Sequence, residues 1–404
     1  MVRGLRFRPP RTPESAPLAW VLARAWGPLA ATPAGPGDPG AALELARRLD
    51  LSARIAARTG AERLEAELDA EVATAMRRDR LGAAAVELGW LALAREVARA
   101  GAAAGVTVVF LKSMALRLAG RLEDGSRLAS DLDVLVPAAS AVAFVESLED
   151  WGFRAGPGSG YEHHLPPLFS AAGMALEVHT RLLGVHLGRR RASAEVADLA
   201  AAGQLEPVAG FEGASFVPAP PVLAAHLLVH ALAQHGWAPQ AYPALRWIGD
   251  LADLGFPERT GPLAELVQHT RGALPAIEVE GAARLVRRLA AGDLSPLGES
   301  PGESVEASLL HHGLAGVLDP EYGPSLRFRD LGRPLTDRGR LAGLAVTLGR
   351  AVFPSATELE QIYGTRGGTL GRFGRRLVRP FDLAARAALY ARSRWRLRRR
   401  DRGS

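Results

Sequence analysis

Two aspartates one residue apart, Asp131 and Asp133, interrupt a run of apolar residues. Because side chains alternate faces along a strand, both carboxylates would point to the same side, about 7 Å apart. Two carboxylates on one face of an apolar strand repel each other and resist burial unless a cation lies between them. A divalent metal is the usual cation at such a place, so the pair predicts a metal site.

The only lysine of the chain, Lys112, directly follows the apolar stretch 106–111, whereas 48 other basic positions are arginine. Lysine is a compact charge with rotatable donors, and at such a turn it commonly contacts phosphate. The next residue is Ser113, whose hydroxyl can donate to a phosphate oxygen. The two residues therefore form a candidate phosphate-binding turn. The alternative is that the single lysine has no special role.

A third carboxylate, Glu177, lies in the apolar stretch 174–179 and is the only acidic residue there. If this stretch is a strand beside the aspartate pair, three carboxylates converge. His179 shares the face of Glu177 because strand side chains repeat every two residues. The alternatives are an ordinary ion pair at Glu177 and an exposed strand on which arginines pair with the two aspartates.

Four further polar residues accompany these stretches: Arg127, Ser130, His163 and His164. Ser130 and Arg127 are interpreted as support for the aspartate-bearing segment, with Arg127 also a candidate phosphate contact. His163, His164 and His179 are candidate substrate contacts, and the alternative for His179 is that it orients a carboxylate. For His163 and His164, a solvent-facing loop pair is an equal alternative.

Two other groups of polar residues lie on predicted helices. His226, His230 and His235 are near i, i+4 spacing, but no Glu-x-x-His pattern or cysteine accompanies them. We therefore interpret them as cleft or packing residues rather than as a zinc site. Arg246 and Asp250, also four residues apart, are predicted to form an ion pair on one helix face.

Alternating apolar strands and helices must position these side chains. The order is strand, helix, strand, helix, strand, strand, which predicts a small α/β sheet. The fold class is α/β (α+β): a small mixed-sheet core with N-terminal helices and a mainly helical C-terminal region. The predicted segments are a Pro/Gly-rich N-terminus at 1–40, helices packing on the core at 41–105, the core at 106–215, a helical domain at 216–343 and a C-terminal region with a basic tail at 344–404. Over 41–104 we expect two or three helices, the last of them long and starting near Leu81.

Composition restricts the class of protein. Of 404 residues, 48% are hydrophobic and 23% charged, which is typical of a globular chain. The absence of cysteine excludes disulfides, thiolate zinc sites and a cysteine nucleophile. No apolar run approaches the roughly 20 residues of a membrane-spanning helix, and the N-terminus has no signal-peptide core. The expected location is cytoplasmic.

The net charge of +6 is unevenly distributed. Residues 371–404 contain twelve arginines and two aspartates, so the rest of the chain is mildly acidic. Such a tail is commonly a solvated terminus, but it can also bind an anionic membrane surface or nucleic acid. Peripheral membrane association is favoured over nucleic acid because the stretch 381–390 is apolar and helical in pattern.

Taken together, the motifs resemble nucleotidyltransferases of the polymerase-β-like superfamily. Within it, they resemble a largely uncharacterised bacterial family with a Leu-Lys-Gly turn, an Arg-x-x-Ser-Asp-x-Asp-x-Leu-Val strand and a later Glu-x-His strand. In this chain the three motifs occupy residues 111–113, 127–136 and 177–179. The resemblance covers residues 106–255 well, and it departs from the family at Ser113, where the family has glycine.

The resemblance implies transfer of a nucleoside monophosphate from an NTP such as ATP to an acceptor, with Mg²⁺ (or Mn²⁺) as cofactor and pyrophosphate as product. Asp131, Asp133 and Glu177 would bind the metal, and Glu177 would also act as base. Lys112 and Ser113 would hold the triphosphate. The acceptor could be a small molecule, peptide, sugar or RNA. The alternative is a non-catalytic nucleotide-binding or scaffold module of the same fold, docked through its basic tail.

Overall fold

The computed structural model describes residues 14–31, 33–156, 164–187, 193–234, 245–256 and 258–319, together with residues 378, 380, 381, 384 and 388. His163, His235 and nearly all of the basic tail lie outside these residues, so the predictions for them stay predictions. Within the described residues, helices surround a mixed sheet. This architecture confirms the predicted fold class.

In the part of the chain that the structure describes, five helices precede the first strand. They are α1 (Ala16–Trp26), α2 (Pro39–Arg48), α3 (Ser52–Thr59), α4 (Ala61–Glu67) and α5 (Ala70–Ala103). The sequence predicted two or three helices over 41–104, whereas the structure has four there. Two local features account for the difference. Gly60, with φ of 78°, ends α3, and the Asp69 side chain accepts from the Val72 N–H and starts α5. The long helix therefore begins at Ala70 rather than near Leu81.

Nine short strands follow among the described residues. They are β1 (Val108–Phe110), β2 (Asp131–Leu135), β3 (Arg154–Ala155), β4 (Leu168–Phe169), β5 (Ala175–His179), β6 (Leu182–Leu183), β7 (Ser193–Ala194), β8 (Leu205–Pro207) and β9 (Ser215–Pro218). Seven of them form one sheet in the order β3-β4-β5-β2-β1-β9-β8, while β6 and β7 pair separately. The pairs β2 with β5 and β1 with β9 are parallel, and the other pairs are antiparallel. The sheet is thus mixed, as predicted.

The remaining helices lie between the strands and after them. They are α6 (Lys112–Leu118), α7 (Ala141–Asp150), α8 (Val196–Ala201), α9 (Pro220–Val229), α10 (Arg246–Leu254), α11 (Leu263–Thr270), α12 (Ala276–Ala290), α13 (Ser295–Gly298) and α14 (Val305–Leu318). A π-helical turn, His230–Gln234, extends α9. The region after the sheet is mainly helical, as predicted. Among the helices that the structure describes, none has the length and apolar content to cross a membrane.

The centre of the sheet is part of the hydrophobic core. Phe110 on β1, Leu132 and Val134 on β2, and Leu176 and Val178 on β5 are all fully buried. Buried strands of this kind exclude water from any polar side chain among them. A carboxylate on β2 therefore needs hydrogen-bond or charge partners that the protein itself supplies.

Candidate active site

The parallel pairing of β2 with β5 brings two of the predicted carboxylates together. In this register Asp133 lies opposite Glu177, and Leu135 lies opposite His179. Residues at one level of neighbouring strands are close enough for their side chains to interact. The convergence of Asp133 with Glu177, conditional in the sequence, is present in the fold.

Asp133 is the centre of the cluster. Its Oδ1 atom accepts from Lys112 Nζ at 2.6 Å and lies 2.9 Å from His179 Nε2. The residue is only 2% exposed. Burial opposes ionisation, but Lys112 and His179 outweigh it and hold the pKa of the Asp133 carboxyl well below its usual range. Asp133 is therefore a buried carboxylate with two cationic or donor partners on one oxygen.

Glu177 and His179 complete a group with the composition of a metal site. His179 Nε2 lies 3.6 Å from Glu177 Oε2. One ligand atom from each of Asp133, Glu177 and His179 lies within 4.8 Å of the other two. Two carboxylates and an imidazole are a donor set that fits a divalent cation such as Mg²⁺ or Mn²⁺. His179, predicted as a substrate contact or as a residue that orients a carboxylate, belongs to this group.

Asp131 lies next to the group at the start of β2 and is half-buried. Ser130 Oγ donates to Asp131 Oδ1 at 2.9 Å, and the supporting role of Ser130 stays a prediction. Burial, and after it repulsion from Asp133, raises the pKa of the Asp131 carboxyl. Lys112 thus leaves the like-charge repulsion only partly compensated. Asp131 is not one of the residues whose ligand atoms lie within 4.8 Å of one another, so its role as a metal ligand stays a prediction.

The turn between β1 and α6 holds Lys112 in an unusual backbone conformation. Among the described non-glycine residues, positive φ occurs at Lys112, with 48°, and at Asp50. Ser113 is outside the left-handed region, so its backbone conformation does not require the glycine that the family has there. The left-handed residue is the lysine itself. Strain of this kind is concentrated at functional sites.

Arg127 has a partner that the sequence did not indicate. Its Nη2 atom donates to Asp250 Oδ2 at 2.9 Å, and both side chains are nearly fully buried. Arg246 instead pairs with Asp50, which follows α2. The predicted helix-face pair between Arg246 and Asp250 is therefore wrong, because α10 packs between two other parts of the chain and each residue pairs there.

Helix α5 anchors the segment that precedes Asp131. Trp90 Nε1 donates to the Ala129 carbonyl at 3.0 Å, and the Gly125 N–H donates to Glu87 Oε2 at 2.9 Å. Glu87 also forms an ion pair with Arg117 of α6. Sequence reasoning missed these residues. The spacing of Glu87 and Trp90, three apart on one helix face, was the available signal, but nothing in it identifies backbone atoms as partners.

Gly125 offers a direct test of this anchor. Its φ is +70°, and a Cβ atom there would lie 2.5 Å from the Arg80 carbonyl of α5. We expect Gly125→Ala to reduce the free energy of unfolding by about 3 kcal/mol, since left-handed strain costs about 1 to 2 kcal/mol and overpacking about 1 to 3 kcal/mol. Gly120 is the matched control, because its φ is +64° and no atom lies within 4 Å of its Cβ position. Gly120→Ala should cost about 1 kcal/mol in urea denaturation, from strain alone. Equal losses in both variants would contradict a tight anchor at Gly125.

The remaining histidines differ in their relation to the site. His164 lies beside it: the residue bridges to His179 in the sheet, and the two ring centroids are 5.4 Å apart. Burial lowers the pKa of His164. His226 and His230 are buried in the helical region with their rings 5.9 Å apart, and they belong to no metal-ligating group among the described residues.

A mixed sheet that presents carboxylates from two parallel strands beside a lysine-bearing turn is the arrangement expected of a nucleotidyltransferase. The chain belongs to the family described as uncharacterised nucleotidyltransferase, whose model matches residues 35–255. The match includes every predicted site residue, from the turn at Lys112 to the strand ending at His179. A comparison with curated proteins found no match, and a comparison with solved structures found none either.

Proposed function

We propose that the protein transfers a nucleoside monophosphate from an NTP to an acceptor oxygen, with a divalent metal and with release of pyrophosphate. The observation that carries this proposal is the convergence of Asp133, Glu177 and His179 beside Lys112, in a chain of a nucleotidyltransferase family. Such a cluster combines ligands for a cation with a donor for phosphate.

The metal would be held by Asp133 and Glu177, with Asp131 and His179 as further ligands. When bound, the ion would neutralise phosphate charge and polarise the reacting phosphoryl group. Carboxylate oxygens suit Mg²⁺, and a donor set that also contains an imidazole suits Mn²⁺ equally well. Mg²⁺ or Mn²⁺ is therefore the proposed cofactor.

The triphosphate would lie against the turn after β1. Lys112 Nζ is already directed at the carboxylate cluster, and Ser113 is partly exposed beside it. Ser113 and Arg127 line one small pocket, but neither Lys112 nor any of the proposed metal ligands lines it. The phosphate contact of Arg127 is therefore proposed from its place in the segment before Asp131 and not from this pocket, and its guanidinium pairs with Asp250.

The reaction assigns different tasks to the two carboxylates on neighbouring strands. The acceptor oxygen attacks the α-phosphorus, the bond from this phosphorus to the bridging oxygen breaks, and pyrophosphate leaves with the bond electrons. The acceptor proton passes to Glu177. The Glu177 side chain is 30% exposed and the Asp133 side chain only 2%, so Glu177 is the carboxylate that an acceptor hydroxyl can approach. His179 Nε2 lies between the two carboxylates, 2.9 Å from Asp133 Oδ1 and 3.6 Å from Glu177 Oε2.

The proposed acceptor is a small molecule, a peptide, a sugar or an RNA end. The basic tail is proposed to dock on an anionic membrane surface or on nucleic acid, and the protein is proposed to act in the cytoplasm. These partners follow from the charge distribution of the chain and the family, and not from contacts of the described residues.

Calorimetric titration of ATP, CTP, GTP and UTP, with and without Mg²⁺ or Mn²⁺, tests the proposal. We expect at least one NTP to bind only with metal and to release pyrophosphate when an acceptor is supplied. Asp131→Asn should weaken this binding, whereas Asp150→Asn, at the exposed end of α7, should not. Absence of NTP binding with either metal would overturn the proposal. Metal-dependent binding without pyrophosphate from any acceptor class would favour the scaffold alternative.

A further inference from the structure

Lys112 occupies a position on Asp133 that a metal ion would also need. Its Nζ atom lies 2.6 Å from Asp133 Oδ1, which is the oxygen that His179 Nε2 also approaches, at 2.9 Å. The side chain of Lys112 is 9% exposed and that of Asp133 is 2% exposed. Water therefore screens this contact little, and a cation that approaches Asp133 has to compete with an ammonium already in place.

The charges around Lys112 favour this arrangement when no nucleotide is present. Asp131, Asp133 and Glu177 all attract the ammonium, and their combined effect outweighs its burial. An ammonium that neutralises part of this negative charge reduces what is available to a divalent ion. The same ammonium is also the proposed partner of the triphosphate.

We propose that Lys112 is an internal counter-cation that competes with free divalent metal for Asp133 and is released when the phosphates of a nucleotide offer it another partner. Metal then binds well only together with the nucleotide. This inference rests on the proposed function, since it concerns the order in which the same site takes up metal and NTP.

The residue type at this position suits such an exchange. A lysine ammonium is a compact charge on a flexible four-carbon stem, so it can move between neighbouring anions. Arginine has a planar fork that holds a fixed bidentate geometry. The chain uses arginine at 48 positions and lysine at this one alone. A mobile cation is therefore present where the competing anions meet.

The first test measures Mn²⁺ affinity by calorimetry, with and without a non-hydrolysable NTP analogue, in the wild type, Lys112→Met and Lys112→Arg. Lys112→Met should bind Mn²⁺ alone at least about tenfold more tightly than the wild type, since one charge interaction in a poorly screened site is worth a factor of ten or more. The analogue should strengthen Mn²⁺ binding in the wild type and do so less in Lys112→Met. Lys112→Arg keeps the charge, so its affinity for Mn²⁺ alone should stay low.

A second measurement uses the wild-type protein and does not depend on whether a variant folds. Lys112 is the only side-chain amine, so peptide mass spectrometry can follow its reaction with an amine-reactive reagent separately from the N-terminus. Saturating Mn²⁺ alone should displace the ammonium and increase its modification rate. Adding the NTP analogue should slow the reaction again.

Failure of this inference differs from failure of the proposed function. If Mn²⁺ binds the wild type and Lys112→Met equally well, or if saturating Mn²⁺ leaves the modification rate unchanged, Lys112 does not compete and the inference is overturned while the metal site stands. If neither protein binds Mn²⁺ with or without the analogue, the proposed function fails as well.

Discussion

Asp133→Asn should abolish metal-dependent nucleotide binding, because Lys112 and His179 converge on Asp133 and we propose this carboxylate as a metal ligand. We expect the Kd of the metal–nucleotide complex to rise about a hundredfold or more, since even residues that only orient metal ligands change affinity about 10- to 100-fold. Calorimetric titration of an NTP in the presence of Mg²⁺ measures this change. The Asp150→Asn variant is the control for loss of an unrelated carboxylate.

Loss of the Asp133 charge also leaves the buried Lys112 ammonium with a weaker partner, so Asp133→Asn can lower stability as well as affinity. The double variant Lys112→Met/Asp133→Asn separates these effects, because it removes both charges of the pair. We expect it to be more stable than Asp133→Asn in urea denaturation and still to lack metal-dependent binding. Near-normal binding in either variant would show that Asp133 is not a metal ligand.

Asp250→Asn is expected to give the largest loss of stability, because Asp250 is the buried partner of Arg127. Breaking a buried ion pair by removing one partner costs about 3 to 5 kcal/mol, since the remaining charge stays in a poorly solvated place. Chemical denaturation measures the loss. Replacing both residues, in Arg127→Met/Asp250→Leu, should restore part of the stability, because no isolated charge then remains.

Asp253→Asn is the matched control for Asp250→Asn. Asp253 lies one turn further along α10 and pairs with Arg54 of α3 at 2.6 Å, so its loss also breaks an ion pair of this helix. Arg127 lies in the segment before Asp131, whereas Arg54 belongs to the N-terminal helices. We therefore expect both variants to lose stability but only Asp250→Asn to weaken NTP binding. Equal weakening in both would mean that the effect arises from general loosening of α10.

The sequence predicted the parts of the site that depend on local periodicity. The period of two placed Asp131 with Asp133 on one face of a strand, and Glu177 with His179 on another. Both strands are present, and their register brings Asp133 to Glu177. The register itself was not readable from one sequence, because it depends on how the two strands pack over the core.

Other contacts could not be predicted because tertiary partners override local spacing. Arg246 and Asp250 have the spacing of a helical ion pair, yet the partner of Asp250 is Arg127, 123 residues away. Trp90 donates to the backbone carbonyl of Ala129. Every residue has such a carbonyl, so the sequence does not indicate which one accepts this hydrogen bond. Lys112 was predicted as a phosphate contact, and its bond to Asp133 became visible only when the turn and the strand were placed together.

The ion pairs of α10 have a consequence for how this molecule can be divided. One short helix is tied to the N-terminal helices through Arg54 and Asp50, and to the segment before Asp131 through Arg127. A fragment ending after the sheet would contain every proposed ligand but would lack Asp250. We therefore expect a fragment that ends after the sheet to be less stable than one that extends to the end of α10. The family match, which stops at residue 255, one residue after that helix, has the same limit.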